Sequence, residues 1–178
     1  MKILIFSDLH LNTWRSFGLS DKLGITKRLN DQINVLEQIK SIISNQKIDI
    51  VIFGGDLFHS VGVVPVECLN IAYEFFNWLK ENKIIYYIVH GNHDLINRET
   101  PAWYQSAVTP FEQSEEFKTN LKIKCINWNE KINYDELIDF DVLVLHKQPS
   151  IINEYNIEFE GADWNRLAAQ NRFVFFWH

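Results

Sequence analysis

The feature that most constrains the fold of this chain is a series of short apolar runs, each closed by a histidine, an aspartate or a glycine–aspartate pair. The runs are Lys2–Phe6, Asp49–Phe53, Ile84–Val89, Asp141–Leu145 and Phe173–Trp177. Each run is short and almost continuously apolar, which is typical of a strand buried on both faces. Helical patterns separate the first three, giving the order β-α-β-α-β. The sequence therefore predicts an α/β fold with buried sheets.

Two helices are predicted between these strands. The first is indicated by apolar residues three or four positions apart between Ile33 and Ile43, with Asn30 as its N-cap. The second begins near Pro65, a residue suited to a first helical turn, and continues to about Asn82. The weaker patterns predict a helix around Ala102–Val108, a strand over Leu121–Ile126 and a helix over Asp163–Gln170. No repeat or linker interrupts the chain, so we expect one domain over residues 1–178.

Charge and cysteine usage narrow the class of protein. The 178 residues contain 17 Lys and Arg against 23 Asp and Glu, a net charge of −6, which disfavours nucleic-acid binding by charge alone. Any phosphate would need a local positive charge, such as a bound metal. Cys68 and Cys125 are too few for a disulfide scaffold. The chain has no run long enough to span a membrane and reaches Asp8 too early for a signal peptide, so we expect a cytoplasmic protein with no membrane partner.

Polar side chains follow the predicted strands at their carboxyl ends. They are His10, His59, His93, His146 and His178, with Asp8, Asp56, Asn92 and Asp94 in the same loops. Ligands bind where such loops converge in open α/β sheets. Mixed Asp, Asn and His donors suit Mn, Fe or Zn, and two such ions about 3.5–4 Å apart can clamp a phosphate ester during in-line displacement.

Each motif taken alone has a structural alternative. The pair Asp8 and His10 could cap a loop, Gly54-Gly55-Asp56 could be a simple turn, and His146 could be a hydrogen-bonded residue at a strand end. His90 fits no ligand scheme and is interpreted as structural. The occurrence of all the segments in order favours a shared metal site.

These motifs resemble the calcineurin-like metallophosphoesterases. The resemblance spans nearly the whole chain and rests on Asp8-x-His10, Gly55-Asp56-x-x-His59, Gly91-Asn92-His93-Asp94, His146 and His178. Protein phosphatases of the superfamily usually carry Gly-Asp-x-x-Asp-Arg-Gly at the second motif, whereas this chain has His59 in place of the second aspartate. Together with Asp31-Gln32 near the start of the first helix, this histidine makes the chain similar to the SbcD-type DNA-repair nucleases, which include phage recombination endonuclease subunits.

The resemblance implies a two-layer β-sandwich flanked by helices, with a dinuclear site that usually holds Mn and otherwise Fe, Zn or Mg. It implies that His93 stabilises the phosphoryl transition state or protonates the leaving oxygen, that His59 orients His93, and that Asp94 supports the site without binding metal. The implied ligands are Asp8 and His10 for the first ion, Asp56 for the bridge, and Asn92, His146 and His178 for the second.

The end of the chain departs from the family pattern. The family normally closes its core with Gly-His-x-His, whereas here Trp177 replaces the glycine and His178 is the last residue. The second histidine, a ligand of the first metal, is missing, as are the capping region and the segment that docks an SbcC-type ATPase. We expect a truncated piece of a longer nuclease rather than a shortened protein with a weakened first metal site.

Two further features suggest partners. The second helix has one apolar face containing Leu69 and Phe76 and another containing Phe75 and Trp78, which fits either a homodimer or packing under residues 95–115. The loop 11–28 beside the site offers Trp14, Arg15, Lys27 and Arg28 to a nucleic acid, although an ordinary solvated loop explains it equally well.

The favoured interpretation is a DNA exonuclease or endonuclease subunit of a bacterial or phage repair or recombination complex. A phosphodiesterase or phosphatase for small substrates is the nearest alternative. A scaffold without catalytic activity is another, because the last metal-ligand histidine is missing, although His59 and His93 argue against it.

Overall fold

Strands and helices alternate in the order that the apolar runs predict. The computed structural model describes residues 1–15, 25–95, 106–112, 119–152, 158–159 and 161–177. The strands are β1 (Ile3–Phe6), β2 (Ile50–Phe53), β3 (Ile85–Ile88), β4 (Ile123–Ile126), β5 (Val142–His146), β6 (Ile151–Ile152), β7 (Glu158–Phe159) and β8 (Val174–Trp177). The helices are α1 (Lys27–Gln46), α2 (Val66–Glu81) and α3 (Trp164–Gln170), with a 3₁₀ turn at Thr109–Phe111.

Within the described part of the chain, the main strands form two parallel sheets. The first has the order β1-β2-β3 and the second β4-β5-β8. Ile3 pairs with Ile50, and Ile50 in turn pairs with Ile85. In the second sheet Leu143 pairs with Val174. Parallel pairing directs the carboxyl ends of all the strands in a sheet to the same edge.

Alternating side chains on the strands divide the core into layers. Val51 and Phe53 pack towards α1 and α2, whereas Ile50 and Ile52 face the second sheet. On β5, Val142 and Val144 face the first sheet, and Leu143 and Leu145 pack with Leu167 of α3. The two sheets therefore pack face to face with helices outside them, which confirms the predicted sandwich of two sheets flanked by helices.

Helix α1 begins earlier than predicted. Its N-cap is Thr26, whose hydroxyl accepts a hydrogen bond from the Leu29 N–H, so the prediction of Asn30 as the cap is wrong. Threonine satisfies an unpaired N–H of the first turn as well as asparagine would. As a result Lys27 and Arg28 belong to the first turn of α1 rather than to the preceding loop.

The predicted helix over Ala102–Val108 is not present in its described part. Ser106 instead forms an isolated antiparallel bridge with Leu95, and its hydroxyl accepts a hydrogen bond from the Val108 N–H. The 3₁₀ turn follows, and residues 101–105 lie outside the described ones. The short pair of β6 and β7 was not predicted, because two residues per strand are too few for a pattern.

The second apolar face of α2 packs largely within its own chain. Phe75 is fully buried, and Trp78 lies half-buried against the same core. The ring of Phe76 stacks on Phe111 of the 3₁₀ turn at 5.4 Å. Because Phe76 belongs to the first apolar face, the turn near residue 111 covers that face, whereas Phe75 of the second face packs with its ring 6.1 Å from that of Phe6 in β1. Among the described helices, none has the length and apolar character needed to cross a membrane.

Candidate metal centre

The polar residues that follow the strands meet where the two sheets adjoin. Asp8 and His10 follow β1, Asp56 follows β2, Asn92 follows β3, and His146 ends β5. The Asp8 N–H donates to the Gly55 carbonyl at 2.9 Å and the His10 N–H to the Asp56 carbonyl at 3.0 Å, so parallel pairing continues past the strands. His178 lies outside the described residues.

The backbone at the site adopts conformations that L-residues usually avoid. Asp8, His10 and Asp56 have φ angles of 58°, 46° and 56°. Each such residue costs on the order of 1 kcal/mol or more, and residues of this kind cluster at functional sites. These backbone conformations direct the three side chains towards one another.

Asp8, His10 and Asp56 form one group of candidate donors. His10 Nε2 lies 3.8 Å from Asp8 Oδ1 and 3.7 Å from Asp56 Oδ2, too far for hydrogen bonds. One donor atom from each residue lies within 4.8 Å of the others. His10 Nδ1 is buried and has no hydrogen-bond partner among the described residues. Two carboxylates and an imidazole that face one another without bonding are a donor set that fits a divalent cation.

Asp56, Asn92 and His146 form the other group. His146 is completely buried, and its Nε2 lies 3.2 Å from Asn92 Oδ1 and 3.6 Å from Asp56 Oδ1. Its Nδ1 lies 2.8 Å from the Gly54 carbonyl, which can only accept, so Nδ1 carries the proton. In the neutral ring the lone pair of Nε2 is thereby directed at the two oxygens, and a histidine ligand is commonly fixed in this way.

Two glycines make the approach between the loops possible. Gly55 has φ +107°, and a Cβ there would overlap Nδ1 of His146. A Cβ on Gly91 would overlap the carboxylate and backbone nitrogen of Asp56. Any side chain at either position would separate His146 or the 91–94 loop from Asp56.

The charge states of Asp56 and His146 are linked. Burial raises the pKa of Asp56, but the protonated form of the facing His146 ring and the hydrogen bond from the His93 N–H outweigh burial and hold the pKa below its ordinary value. Burial lowers the pKa of His146, but Asp56 and the Gly54 carbonyl outweigh it and raise the pKa overall. Asp56 is therefore ionised at neutral pH, and His146 lies in a negative environment suited to a cation.

His93 and His59 lie beside the first donor group. His93 Nδ1 is 2.6 Å from the carbonyl oxygen of His59, so Nδ1 donates and any proton passed to a substrate comes from Nε2. The two rings stack at 5.8 Å. Donor nitrogens of His10, His59 and His93 also lie within 4.8 Å of one another, although this group lacks a carboxylate to neutralise a cation.

Asp94 connects the loop after β2 to the loop after β3 through hydrogen bonds. Its buried carboxylate accepts hydrogen bonds from the backbone N–H groups of Asp56 (2.9 Å), Phe58 (3.1 Å) and Gly91 (3.0 Å). Burial raises the pKa of Asp94 to about 6 despite these bonds. Asp94 thus ties the loop after β2 to the loop after β3 without facing the donor groups.

The residues predicted to contact nucleic acid take different positions. The guanidinium of Arg28 lies 3.6 Å from the ring centre of Trp14. The ring centres of Trp14 and His59 are 4.5 Å apart. Arg15 forms an ion pair with Glu67 of α2, and Lys27 is exposed. Trp14 is therefore occupied by stacking within the chain, whereas Lys27 faces solvent.

Sequence reasoning missed two groups that shape the site. One is the Gly54 carbonyl, a backbone group that no residue pattern reveals. The other is the side chain of Gln32 on α1, which donates to the carbonyls of Leu9 and His10. Its only signal in the sequence was the Asp31-Gln32 pair.

Comparison with known proteins finds a matching family and similar chains. Residues 1–177 match the calcineurin-like phosphoesterase family. The chain is 37% identical over 98 residues to the DNA double-strand break repair protein Mre11 of Methanocaldococcus jannaschii, an alignment covering 55% of this chain and 25% of that protein. It is 28% identical to the double-strand break repair protein MRE11 of Encephalitozoon cuniculi over a 201-residue alignment, covering 98% of this chain and 31% of the relative. The chain thus spans less than a third of the length of either relative.

Proposed function

Because the chain belongs to the calcineurin-like phosphoesterase family, a family of metal-dependent phosphoesterases, we propose that it is the catalytic part of a DNA nuclease that works with two divalent cations, preferably Mn²⁺. The observation that carries the proposal is the placement of Asp56. Its Oδ2 faces His10 at 3.7 Å, and its Oδ1 faces His146 at 3.6 Å. One ionised carboxylate therefore belongs to both donor groups, as a bridge between two cations requires.

The residues divide into two roles. Asp8 and His10 would hold one cation, Asn92 and His146 the other, with Asp56 between them. When bound, the cations supply a Lewis acid and lower the pKa of an attacking water. Burial of Asp56 and His146 keeps these donors fixed and excludes bulk water on their side of the site.

His93 is the proton donor of the proposal. Attack by water forms a new P–O bond while the bond to the leaving oxygen breaks, and the leaving oxygen needs a proton. Because the His59 carbonyl accepts from Nδ1 of His93, the step requires the doubly protonated ring: its Nε2 proton passes to the leaving oxygen, the ring is left neutral with its proton on Nδ1, and the attacking water gives up its own proton to solvent. Burial, together with the neighbouring His10 and His93, lowers the pKa of His59, so its ring stays neutral beside these groups.

DNA is proposed as the substrate on two grounds. Both relatives are named as double-strand break repair proteins, and the exposed Lys27 lies at the start of α1, next to the segment that carries Asp8 and His10. We also propose that the chain belongs to the SbcD-type branch and that an SbcC-type ATPase is its partner. A homodimer through α2 remains a proposal; because Phe75 is buried within the chain, such a dimer would have to use exposed residues of α2 such as Val66 and Tyr73.

Hydrolysis of bis(p-nitrophenyl) phosphate with added Mn²⁺, compared with an Asp56→Asn variant, tests the chemistry. We expect turnover that is lost in the variant, followed by Mn²⁺-dependent cleavage of linear DNA. Turnover of the small diester without cleavage of single- or double-stranded DNA would favour a small-substrate phosphodiesterase. Mn²⁺ binding without any turnover would favour a scaffold, and absence of Mn²⁺ binding would overturn the proposal.

A further inference from the structure

The segment from Asp8 to Trp14, here called the 8–14 segment, carries two candidate ligands in a strained conformation. Asp8, His10 and Trp14 all have positive φ, at 58°, 46° and 52°. The His10 ring makes no hydrogen bond through Nδ1 within the described part of the chain, and its Nε2 is beyond hydrogen-bond distance of the carboxylates it faces. The ring lies edge-on to His93 at 4.9 Å and to His59 at 5.6 Å, so its position depends on these contacts and on the backbone placement of the segment rather than on a hydrogen bond.

Gln32 binds the 8–14 segment through both atoms of its side-chain amide. Nε2 donates to the carbonyl oxygens of Leu9 at 2.7 Å and His10 at 2.9 Å. Oε1 accepts from the indole N–H of Trp14 at 3.2 Å and from the Asn12 N–H at 3.4 Å. An amide has two donor hydrogens and two acceptor lone pairs, and all four are used within this one segment.

The chemistry of these partners fixes the orientation of the amide. Carbonyl oxygens can only accept and N–H groups can only donate, so the reversed amide would lose every bond. Gln32 is also carried by a well-anchored helix, because Leu29 and Leu36 of α1 are buried in the core. A further hydrogen bond joins α1 to the segment, because the hydroxyl of the N-cap Thr26 donates to the Thr13 carbonyl at 2.6 Å.

We propose that Gln32 is a positioning residue for the first donor group: it holds the 8–14 segment so that His10 faces Asp8 and Asp56. It touches neither substrate nor cation. The inference rests on the proposed function, since it concerns cation binding at that group. The backbone bonds from Asp8 and His10 to the loop after β2 hold one side of the segment, and Gln32 holds the other.

The test compares Gln32→Met with Gln38→Met, an exposed residue of the same helix. Methionine keeps the length and neutral charge of glutamine but makes none of the four hydrogen bonds. Titration calorimetry with Mn²⁺ alone should show the affinity of one site reduced by about tenfold or more in the Gln32 variant, the size expected when a supporting partner of a ligand is removed. The Gln38 variant should stay within about twofold of the parent chain.

Two readouts separate positioning from a loss of fold. The indole N–H resonance of Trp14 should shift in the Gln32 variant, while the thermal transition stays cooperative. Gln32→Glu, which keeps Oε1 but replaces the donor with an oxygen facing two carbonyls, should weaken Mn²⁺ binding if Gln32→Met does not fold.

The outcomes are distinct. Unchanged Mn²⁺ affinity in a folded Gln32 variant overturns the positioning role and leaves the proposed function standing. If neither Gln32 variant folds, the residue is structural and the inference is wrong. If the parent chain binds no Mn²⁺, the proposed function and this inference both fail.

Discussion

Replacing Asp94 with alanine should destabilise the chain more than the loss of a single hydrogen bond. The carboxylate accepts three backbone N–H groups from Asp56, Phe58 and Gly91, all in a buried environment. An unsatisfied buried N–H costs about 1–3 kcal/mol, so losing all three acceptor contacts should reduce the free energy of unfolding by about 3–9 kcal/mol. The lower end of this range is expected at pH 7. Burial raises the pKa of Asp94 to about 6, so ionising the buried carboxylate costs free energy, and the alanine variant no longer has that cost.

Urea denaturation followed by circular dichroism measures this effect. Asp94→Asn keeps one acceptor oxygen and should lose about half as much stability, whereas Asp135→Ala, which breaks an exposed ion pair with Arg166, should cost at most about 1 kcal/mol. A loss below about 1 kcal/mol for Asp94→Ala would refute the reasoning, because it would mean that the three N–H groups find other partners.

Three further predictions test other parts of the structure. Cys68 is fully buried with its pKa raised to about 11, so at pH 8 it should resist iodoacetamide until denaturant is added, and rapid labelling of the folded chain would contradict its burial. Tyr86→Phe removes the hydroxyl that donates to the Phe111 carbonyl at 2.9 Å and should cost about 1 kcal/mol in urea denaturation; an unchanged midpoint would argue against that bond. His93→Ala should lower kcat by about 10²–10⁴ with Mn²⁺ affinity preserved, and a parallel loss of affinity would instead make His93 a ligand.

The sequence predicted the strands better than the details around them. Val51 and Phe53 alternate with Ile50 and Ile52, and because both sets are apolar the run is typical of a strand buried on both faces, which is how the structure places it. The start of α1 was missed because Thr26 and Asn30 are both acceptable caps, and the choice depends on which hydroxyl or amide reaches a free N–H.

In the candidate site, too, positions near strand ends could be predicted, whereas contacts that depend on packing could not. Asp8, Asp56 and Asn92 could be predicted to lie near one another because each stands in the loop after a strand, and parallel strands bring those loops together. The role of Gln32 could not be assigned, because its partners depend on how α1 packs against the 8–14 segment. The position of Trp14 was equally hidden: an indole in a charged loop suggests an open stacking surface, whereas here Arg28 and His59 lie against its ring.

The hydrogen bond from His146 to the Gly54 carbonyl joins residues 92 positions apart and connects the two sheets. Contacts so distant along the chain form slowly and late. During synthesis the first sheet, with Asp8, Asp56 and Asn92, leaves the ribosome well before His146 does. A nascent chain that ends before β5 therefore lacks one donor of the candidate site, and the group of Asp56, Asn92 and His146 is brought together only once β5 has packed against the first sheet.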